Sequence, residues 1–326
     1  MAQSSPRQHT ESRSMLPLRK LDRVLRNWWK GIVVGVVALY IIAWAIAPAV
    51  RAVALVRGPG GRSAPDPAQA GMPVETVRFP ATDGVRLSGW LAVASPRAPT
   101  VILVHGFKGS RVAMLPWAHF LYAAGYNVLL FDDRGCGESE GWATTLGARE
   151  ADDLIGAVRY LQGRADLPVK RYGAIGVSLG AGVVLLAAAR EPALAAVVAD
   201  SAWTDERPQL DRMATLPLGP FAVPALPYEP ALVDTLIGAR LEDARPLAAI
   251  PHIAPRAVLL IHSADDGNTT TPLSGERALY AAAGKPKAQW IAPSGGHAGA
   301  LQAHPQEYEQ QVLAFFTAHL GVSAAP

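Results

Sequence analysis

A chain of 326 residues, 50% hydrophobic and 17% charged, is long enough to bury a large core and too apolar to be a disordered tail. Its single cysteine, Cys136, excludes an intramolecular disulfide and any Cys-x-x-Cys metal or redox pair. The net charge of +3 is unevenly spread: residues 1–30 hold seven Lys or Arg against Glu11 and Asp22, a net of +5, so the rest of the chain sums to −2 and offers no basic groove for nucleic acid.

The basic segment 1–30 leads into Gly31–Val50, GIVVGVVALYIIAWAIAPAV, which carries no charge. As a helix this stretch rises about 30 Å, the thickness of a bilayer's hydrocarbon core. Trp28 and Trp29 stand where an interfacial aromatic belt belongs. Residues 31–50 are therefore expected to form a transmembrane signal anchor. Lys and Arg are denser before it than just after it (Arg51, Arg57, Arg62), which by the positive-inside rule keeps the N-terminus cytoplasmic and places the rest on the exported, periplasmic or extracellular side. A signal peptide cleaved at Ala52-Val53-Ala54 competes with the anchor, but such peptides have a shorter apolar core. A buried core helix fits less well still, because this stretch is apolar on every face. Residues 51–72 are rich in Gly, Pro and Ala and read as a linker to the body.

From Pro73 on, residues 73–322 alternate short apolar strands with helical patterns. Val74–Phe79 and Val85–Val93 form an opening antiparallel pair turned at Thr82-Asp83-Gly84. Buried strand patterns follow at 100–105, 126–132, 171–178, 194–200, 257–263 and 288–293. Between them lie amphipathic stretches such as 148–163, with Leu154, Ile155, Val158 and Leu161 on one face. This is the pattern of an α/β fold: a mostly parallel central sheet with helices on both faces. Residues 204–250 break the rhythm with Pro208, Pro217, Pro220, Pro224, Pro227 and Pro230, two short helical stretches and no clear strand. They read as a small cap insertion over the carboxyl edge of the sheet, with Trp203, Leu216, Phe221, Val223, Leu226 and Leu232 available to line an apolar slot.

The stretch AIGVSLGAG, Ala174–Gly182, places Ser178 between a strand pattern and the helical run LGAGVVLLAAAR. A nucleophile elbow needs that setting, because bulk at Gly176 or Gly180 would clash with the neighbouring strand and helix. A glycine-softened turn with an idle serine is the plainer alternative. A serine hydroxyl needs a base, and the base an orienting acid. Asp265-Asp266 follows the strand pattern AVLLIHS, and His297 lies in PSGGHAGAL after the last strand pattern, in the order Ser, acid, His. Spacing from His262 at the strand end favours Asp266 over Asp265. His304 is the rival to His297, while His105 and His262 end strands and suit hydrogen bonds to nearby backbone. Two N–H donors for an oxyanion are expected at Leu179, after the nucleophile, and at Phe107 in HGFKGS. No His-Glu-x-x-His or similar cluster suggests a metal, and no motif calls for a cofactor.

The pieces HGFKGS, GYNVLLFDDRGCGESEG, GVSLGAG, AVLLIHSADD and PSGGHAGA resemble the α/β-hydrolase superfamily over about residues 74–320, most of all its Bem46-like and serine aminopeptidase-like branches. The resemblance implies an α/β-hydrolase fold with Ser178 as nucleophile, His297 as base, and Phe107 and Leu179 as oxyanion donors. The family's Asp-x-Arg-Gly-x-Gly-x-Ser loop falls on Asp132, Arg134, Gly135, Gly137 and Ser139, a structural element in that family, with Cys136 at a variable place in it. One departure stands out: Ser263 replaces the family's glycine at the strand end, and Pro272 comes late, after GNTTT, so the acid's register is less fixed than the nucleophile's.

These features point to a serine hydrolase cleaving carboxylic esters through an acyl-enzyme, with a small-molecule or lipid ester as substrate, the membrane as partner of the N-terminal helix, and oligomeric state left open. An aminopeptidase or amidase would use the same triad plus acidic groups such as Asp205, Glu206, Asp211 or Glu229 to hold a free amine. A thioesterase or lipase also fits. A non-catalytic binding module would be expected to lack a triad member, and a dehalogenase would carry aspartate at position 178.

Overall fold

The computed structural model of the chain describes residues 18–59, 65–205, 215–218, 221–224 and 229–321. The chain divides into an N-terminal unit ending at Val50 and a body beginning at Arg51. Helix α1 runs Leu18–Val56, longer at both ends than the apolar core 31–50. Its basic start is rich in Leu, Arg and Lys, all good helix formers, and Gly58-Pro59 ends it. Large apolar side chains of the N-terminal unit are exposed, among them Val34, Leu39, Ile41 and Ile46, and the helix is long and apolar enough to cross a membrane. Residues 51–56, expected in the linker, instead continue the helix and pack within the body, where Ala52 and Val56 are fully buried.

The body is an eight-stranded sheet. In chain order the strands are β1 (Glu75–Pro80), β2 (Arg86–Ala92), β3 (Thr100–Val104), β4 (Asn127–Phe131), β5 (Tyr172–Val177), β6 (Leu194–Asp200), β9 (Ala257–Ser263) and β10 (Lys287–Ala292). Their order across the sheet is β1-β2-β4-β3-β5-β6-β9-β10, with β1–β2 and β2–β4 antiparallel and every other pairing parallel. Each strand lies within one residue of its expected bounds.

Side chains alternate across the pleat, so each strand feeds two cores. Ile102 and Val104 of β3 face helices α3 (Glu150–Gly163) and α4 (Leu179–Arg190), packing with Leu154, Val158 and Val183. Val101 and Leu103 face the other way, toward α2 (Leu115–Ala123) and the C-terminal α7 (Pro305–Leu320), packing with Trp117, Leu121, Val312 and Phe316. A sheet covered on both faces explains the continuous apolar runs of its parallel strands.

Residues 204–250, expected to form a cap without strands, depart from that expectation. Their described part contains a two-stranded antiparallel ribbon, β7 (Thr215–Leu218) and β8 (Phe221–Pro224), where no strand was expected. The prolines argued against strands, but in a two-stranded ribbon each strand keeps one free edge, where a residue without an N–H is tolerated. Helix α5 (Glu229–Ile237) follows, packing Val233 and Ile237 against Ala52, Val56, Ala143 and Leu146. Between β9 and β10 lies α6 (Leu273–Ala282).

Candidate active site

Strand β5 runs into Ser178, whose backbone is at φ 56° and ψ −115°, and the chain turns at once into α4. Such a conformation costs a side-chain-bearing residue about 1–3 kcal/mol and survives only where surroundings enforce it. Here the turn is enforced by close backbone approach. A Cβ at Gly176 would lie 2.0 Å from the Gly180 carbonyl oxygen, and one at Gly180 would lie 2.4 Å from that of Val104. The Ser178 amide also donates to the Asp200 carbonyl at the end of β6, 2.9 Å away. The serine side chain therefore projects from the carboxyl edge of the sheet at a rigid point.

His297 comes from the loop after β10, and its Nε2 lies 2.8 Å from Ser178 Oγ. Its Nδ1 lies 2.9 Å from Oδ2 of Asp266, which sits in the loop after β9 with a fully buried side chain. With Nδ1–H donating to the carboxylate, Nε2 is left to accept the serine proton. The other carboxylate oxygen of Asp266 accepts from the Asn268 amide at 2.8 Å. Asp265 takes a different position: its Oδ1 accepts the Gly296 amide at 2.9 Å, and that bond holds its carboxyl below the usual range. Thus Asp266, Ser178 and His297 come together, and Asp265 braces the loop that carries His297.

The other histidines lie elsewhere. His304 bonds Ser294 Oγ at 3.1 Å. His105 is buried, with Nδ1 2.8 Å from the Gly106 carbonyl and Nε2 accepting the Asp133 amide, a backbone role as expected. His262 departs from that expectation. Its ring is buried with no hydrogen-bond partner among the described residues, and burial lowers its pKa. It packs beneath Asp266, with Nε2 3.4 Å from Oδ2.

Phe107 and Leu179 flank Ser178. The backbone before Phe107 is so close that a Cβ at Gly106 would touch Ser178 Cβ at 3.4 Å. No described residue accepts a hydrogen bond from the amide of Phe107 or of Leu179, the first residue of α4. Both lie in the wall of a cavity of about 520 Å³, together with Leu55, Ala113, Leu146, Val177, Asn268, Thr270 and His297. No carboxylate is among the described residues that line it. Of the side chains expected to line a slot, Trp203 is instead buried behind the elbow, its indole N–H bonded to the Leu179 carbonyl at 3.1 Å. Leu232 packs with the α5 cluster. The side chains of Leu216, Phe221, Val223 and Leu226 lie outside the described residues. Asp205 lies 3.5 Å from Arg245 and Glu229 lies 3.8 Å from Arg51, while Glu206 and Asp211 are outside the described residues.

Three features of the site were not anticipated from sequence. Thr271 Oγ1 lies 3.1 Å from His297 Nδ1 and 3.4 Å from Asp266 Oδ2; its signal was the GNTTT insertion itself. Ser201, at φ 58°, accepts the Ala298 amide on its hydroxyl and donates to Asp200, which also accepts from Tyr308 OH at 3.0 Å. Burial pushes the Asp200 carboxyl up to about 6. Leu55 was assigned to a linker. Of the five non-glycine residues with left-handed φ among those described, Leu146, Ser178 and Ala298 line the cavity, Ser201 bonds the Ala298 amide, and Lys108 follows Phe107 in the chain. Backbone strain is concentrated where the chain must present groups rather than pack them.

The loop after β4 is a structural brace. Asp132 binds the Arg111 side chain and amide and the Glu138 amide, and Arg134 bridges Asp153 and Asp83. Cys136 is buried there, and burial pushes its thiol pKa upward, away from thiolate reactivity. The described residues contain no cluster of three or more His, Cys, Asp or Glu able to hold a metal ion.

Similarity to known proteins agrees with this geometry. A family model described as alpha/beta hydrolase fold matches residues 99–232. YfhR of Salmonella typhimurium is 30% identical over 253 residues, covering 73% of this chain and 77% of that protein. YqkD of Bacillus subtilis is 30% identical over 242 residues, with the same shares of each chain. Among solved structures, the Pyrococcus furiosus esterase Pf2001 superposes with a TM-score of 0.67 at 27% identity, covering 82% of this chain and all of that one. The eight-stranded sheet, the serine elbow and these relatives together make the chain a member of the α/β-hydrolase family.

Proposed function

We propose that the protein is a membrane-anchored serine hydrolase that cleaves carboxylic esters through an acyl-enzyme. The observation that carries it is the unbroken relay from Ser178 Oγ to His297 Nε2 at 2.8 Å and from His297 Nδ1 to Asp266 at 2.9 Å. Ser178 Oγ attacks the ester carbonyl carbon as its proton passes to Nε2. The tetrahedral oxyanion is met by the amides of Phe107 and Leu179, which have no acceptor to lose among the described residues. The imidazolium returns its proton to the leaving alcohol, and the acyl group stays on Ser178. A water then gives its proton to Nε2 and attacks the acyl carbon; as the bond to Ser178 Oγ breaks, the imidazolium returns that proton to Oγ, and the acid leaves. Asp266 stays ionised throughout and holds the histidine in the working tautomer.

The wall of the cavity supports an ester rather than an amino-terminal peptide. A free amine would require a carboxylate, and the two described candidates, Asp205 and Glu229, are close to arginines and are not among the residues that line the cavity. The Pyrococcus furiosus protein that superposes on this chain is an esterase. Within the family, the same residues fit the Bem46-like and serine aminopeptidase-like branches.

The exposed apolar stretch of α1 ahead of Arg51 is the anchor, with the N-terminus cytoplasmic and the body exported. The activity is tested with a panel of p-nitrophenyl esters, thioesters and aminoacyl anilides on the detergent-solubilised full chain. Ester turnover well above the other two is expected. Anilide turnover exceeding ester turnover would favour the aminopeptidase alternative.

A further inference from the structure

We infer that the end of helix α1 contributes Leu55 to the wall of the substrate cavity, and that Leu55 is a specificity-determining residue that meets the acyl chain of the ester. The inference rests on the esterase assignment above and adds the part of the chain that selects among esters.

Leu55 is half-buried and lines the same cavity as Ser178, His297, Leu146 and Leu179. It is held there from several directions. Ala52 and Val56, on the neighbouring turn face, are fully buried against Val233, Ile237 and Leu146. The Val56 carbonyl accepts the Thr144 amide at 2.8 Å, the Gly58 amide donates to the Trp142 carbonyl at 3.0 Å, and Arg57 forms an isolated bridge with Ala143. These bonds tie the helix end to the loop that carries Leu146.

A second tie runs to the oxyanion loop. Lys108 Nζ donates to the Ala54 carbonyl at 2.6 Å, one of the last carbonyls of a helix, where a cation is favoured. Lys108 is the residue after Phe107 and sits at φ 52°, so the lysine that grips the helix also fixes the strained turn presenting the Phe107 amide. The helix end thus joins both loops that shape the cavity, and its contribution to the lining is the apolar side chain of Leu55. Arg51, Val53 and Arg57 do not line the cavity.

An apolar wall of fixed position selects by length. Each methylene of the acyl group gains affinity until it reaches the wall, and the next one is refused. Removing Leu55 side-chain atoms lengthens the slot, and enlarging them shortens it.

The test uses the full chain in detergent micelles and p-nitrophenyl acetate, butyrate, octanoate and dodecanoate. Leu55→Ala should move the optimum toward longer chains, and Leu55→Trp should lower kcat/KM for octanoate by about tenfold while leaving acetate within about threefold. Val53→Ala, on the exposed face, should keep the parent profile. The rate of fluorophosphonate labelling, which requires a folded elbow but no long acyl group, should be unchanged in all three. Parent chain-length profiles in both Leu55 variants, with labelling intact, would overturn the inference and leave the esterase assignment standing. Absence of ester turnover in the parent chain would overturn both.

Discussion

Thr271 Oγ1 stands 3.1 Å from Nδ1 of His297, beside the Asp266 carboxylate that receives the same imidazole proton. The N–H is therefore shared between a charged acceptor and a hydroxyl, and the hydroxyl in turn points its own proton toward Asp266 Oδ2 at 3.4 Å. These contacts suit Thr271 to fixing the orientation of the imidazole ring, and Thr271 is not among the described residues that line the cavity. Thr271→Val keeps the shape and removes both bonds. A neutral hydrogen bond is worth about 1 kcal/mol, and 1.36 kcal/mol is tenfold in rate. Steady-state kinetics should show kcat down by about three- to tenfold with KM near the parent value. A loss as deep as that of Ser178→Ala would mean that Thr271 has a part in the chemistry itself.

Asp265 and Asp266 are neighbours in sequence with different tasks. Asp266→Asn should cost about 10⁴ in kcat, because an amide can no longer hold the histidine in the productive tautomer. Asp265→Asn keeps an acceptor for the Gly296 amide and should cost less than about tenfold. Turnover measured on the two variants in one assay checks this, and the reverse ranking would place the acid one residue earlier.

Glu276 gives a pH signature of stability. Its side chain is buried with Gln289 as its hydrogen-bond partner at 3.3 Å, and burial pushes its carboxyl up to about 8. The unfolded chain releases that proton near the ordinary value of about 4.3. Between these values the folded protein holds a proton that the unfolded chain has lost, so stability is fully present below the lower value and falls as pH rises through the upper one. Asp200 adds a similar loss that is complete near its own value of about 6. Melting temperatures of the parent should therefore still decline between about pH 6.5 and about pH 9, and Glu276→Gln should flatten that decline. Each kcal/mol relieved corresponds to about 2–4 °C for a domain of this size. Equal slopes in parent and variant would assign the decline to other groups.

The anchor is tested by topology. Protease added to intact cells stripped of any outer barrier should degrade the body and spare a tag placed before Arg19. A body protected until lysis would contradict the orientation drawn from the basic N-terminal segment.

Much of the fold was legible because its signals are local. The parallel strands are continuous apolar runs bounded by glycines and charges. The elbow announced itself because Gly176 and Gly180 have no room for a Cβ. Less legible were the features decided by distant parts of the chain. The β7–β8 ribbon was hidden by Pro217 and Pro224, which its free edges tolerate. Residues 51–56 looked like linker because the partners that bury Ala52 and Val56 lie some 90 and 180 residues further on, at Leu146 and Val233. Trp203 looked like a pocket residue by its apolar character, yet the indole N–H found the Leu179 carbonyl and took it behind the elbow. Thr271 and Ser201 act through hydrogen bonds to loops far away in sequence, and no pattern of spacing reports those.

Nucleophilicity of Ser178 is read out by covalent trapping of its hydroxyl. The detergent-solubilised full chain is treated with a fluorophosphonate, digested, and the modified peptide located by mass spectrometry, alongside Ser178→Ala. A single adduct on Ser178, no adduct on the variant, and a fall in ester turnover on the order of 10⁶-fold are expected. Undiminished labelling and turnover in Ser178→Ala would contradict that nucleophilic role.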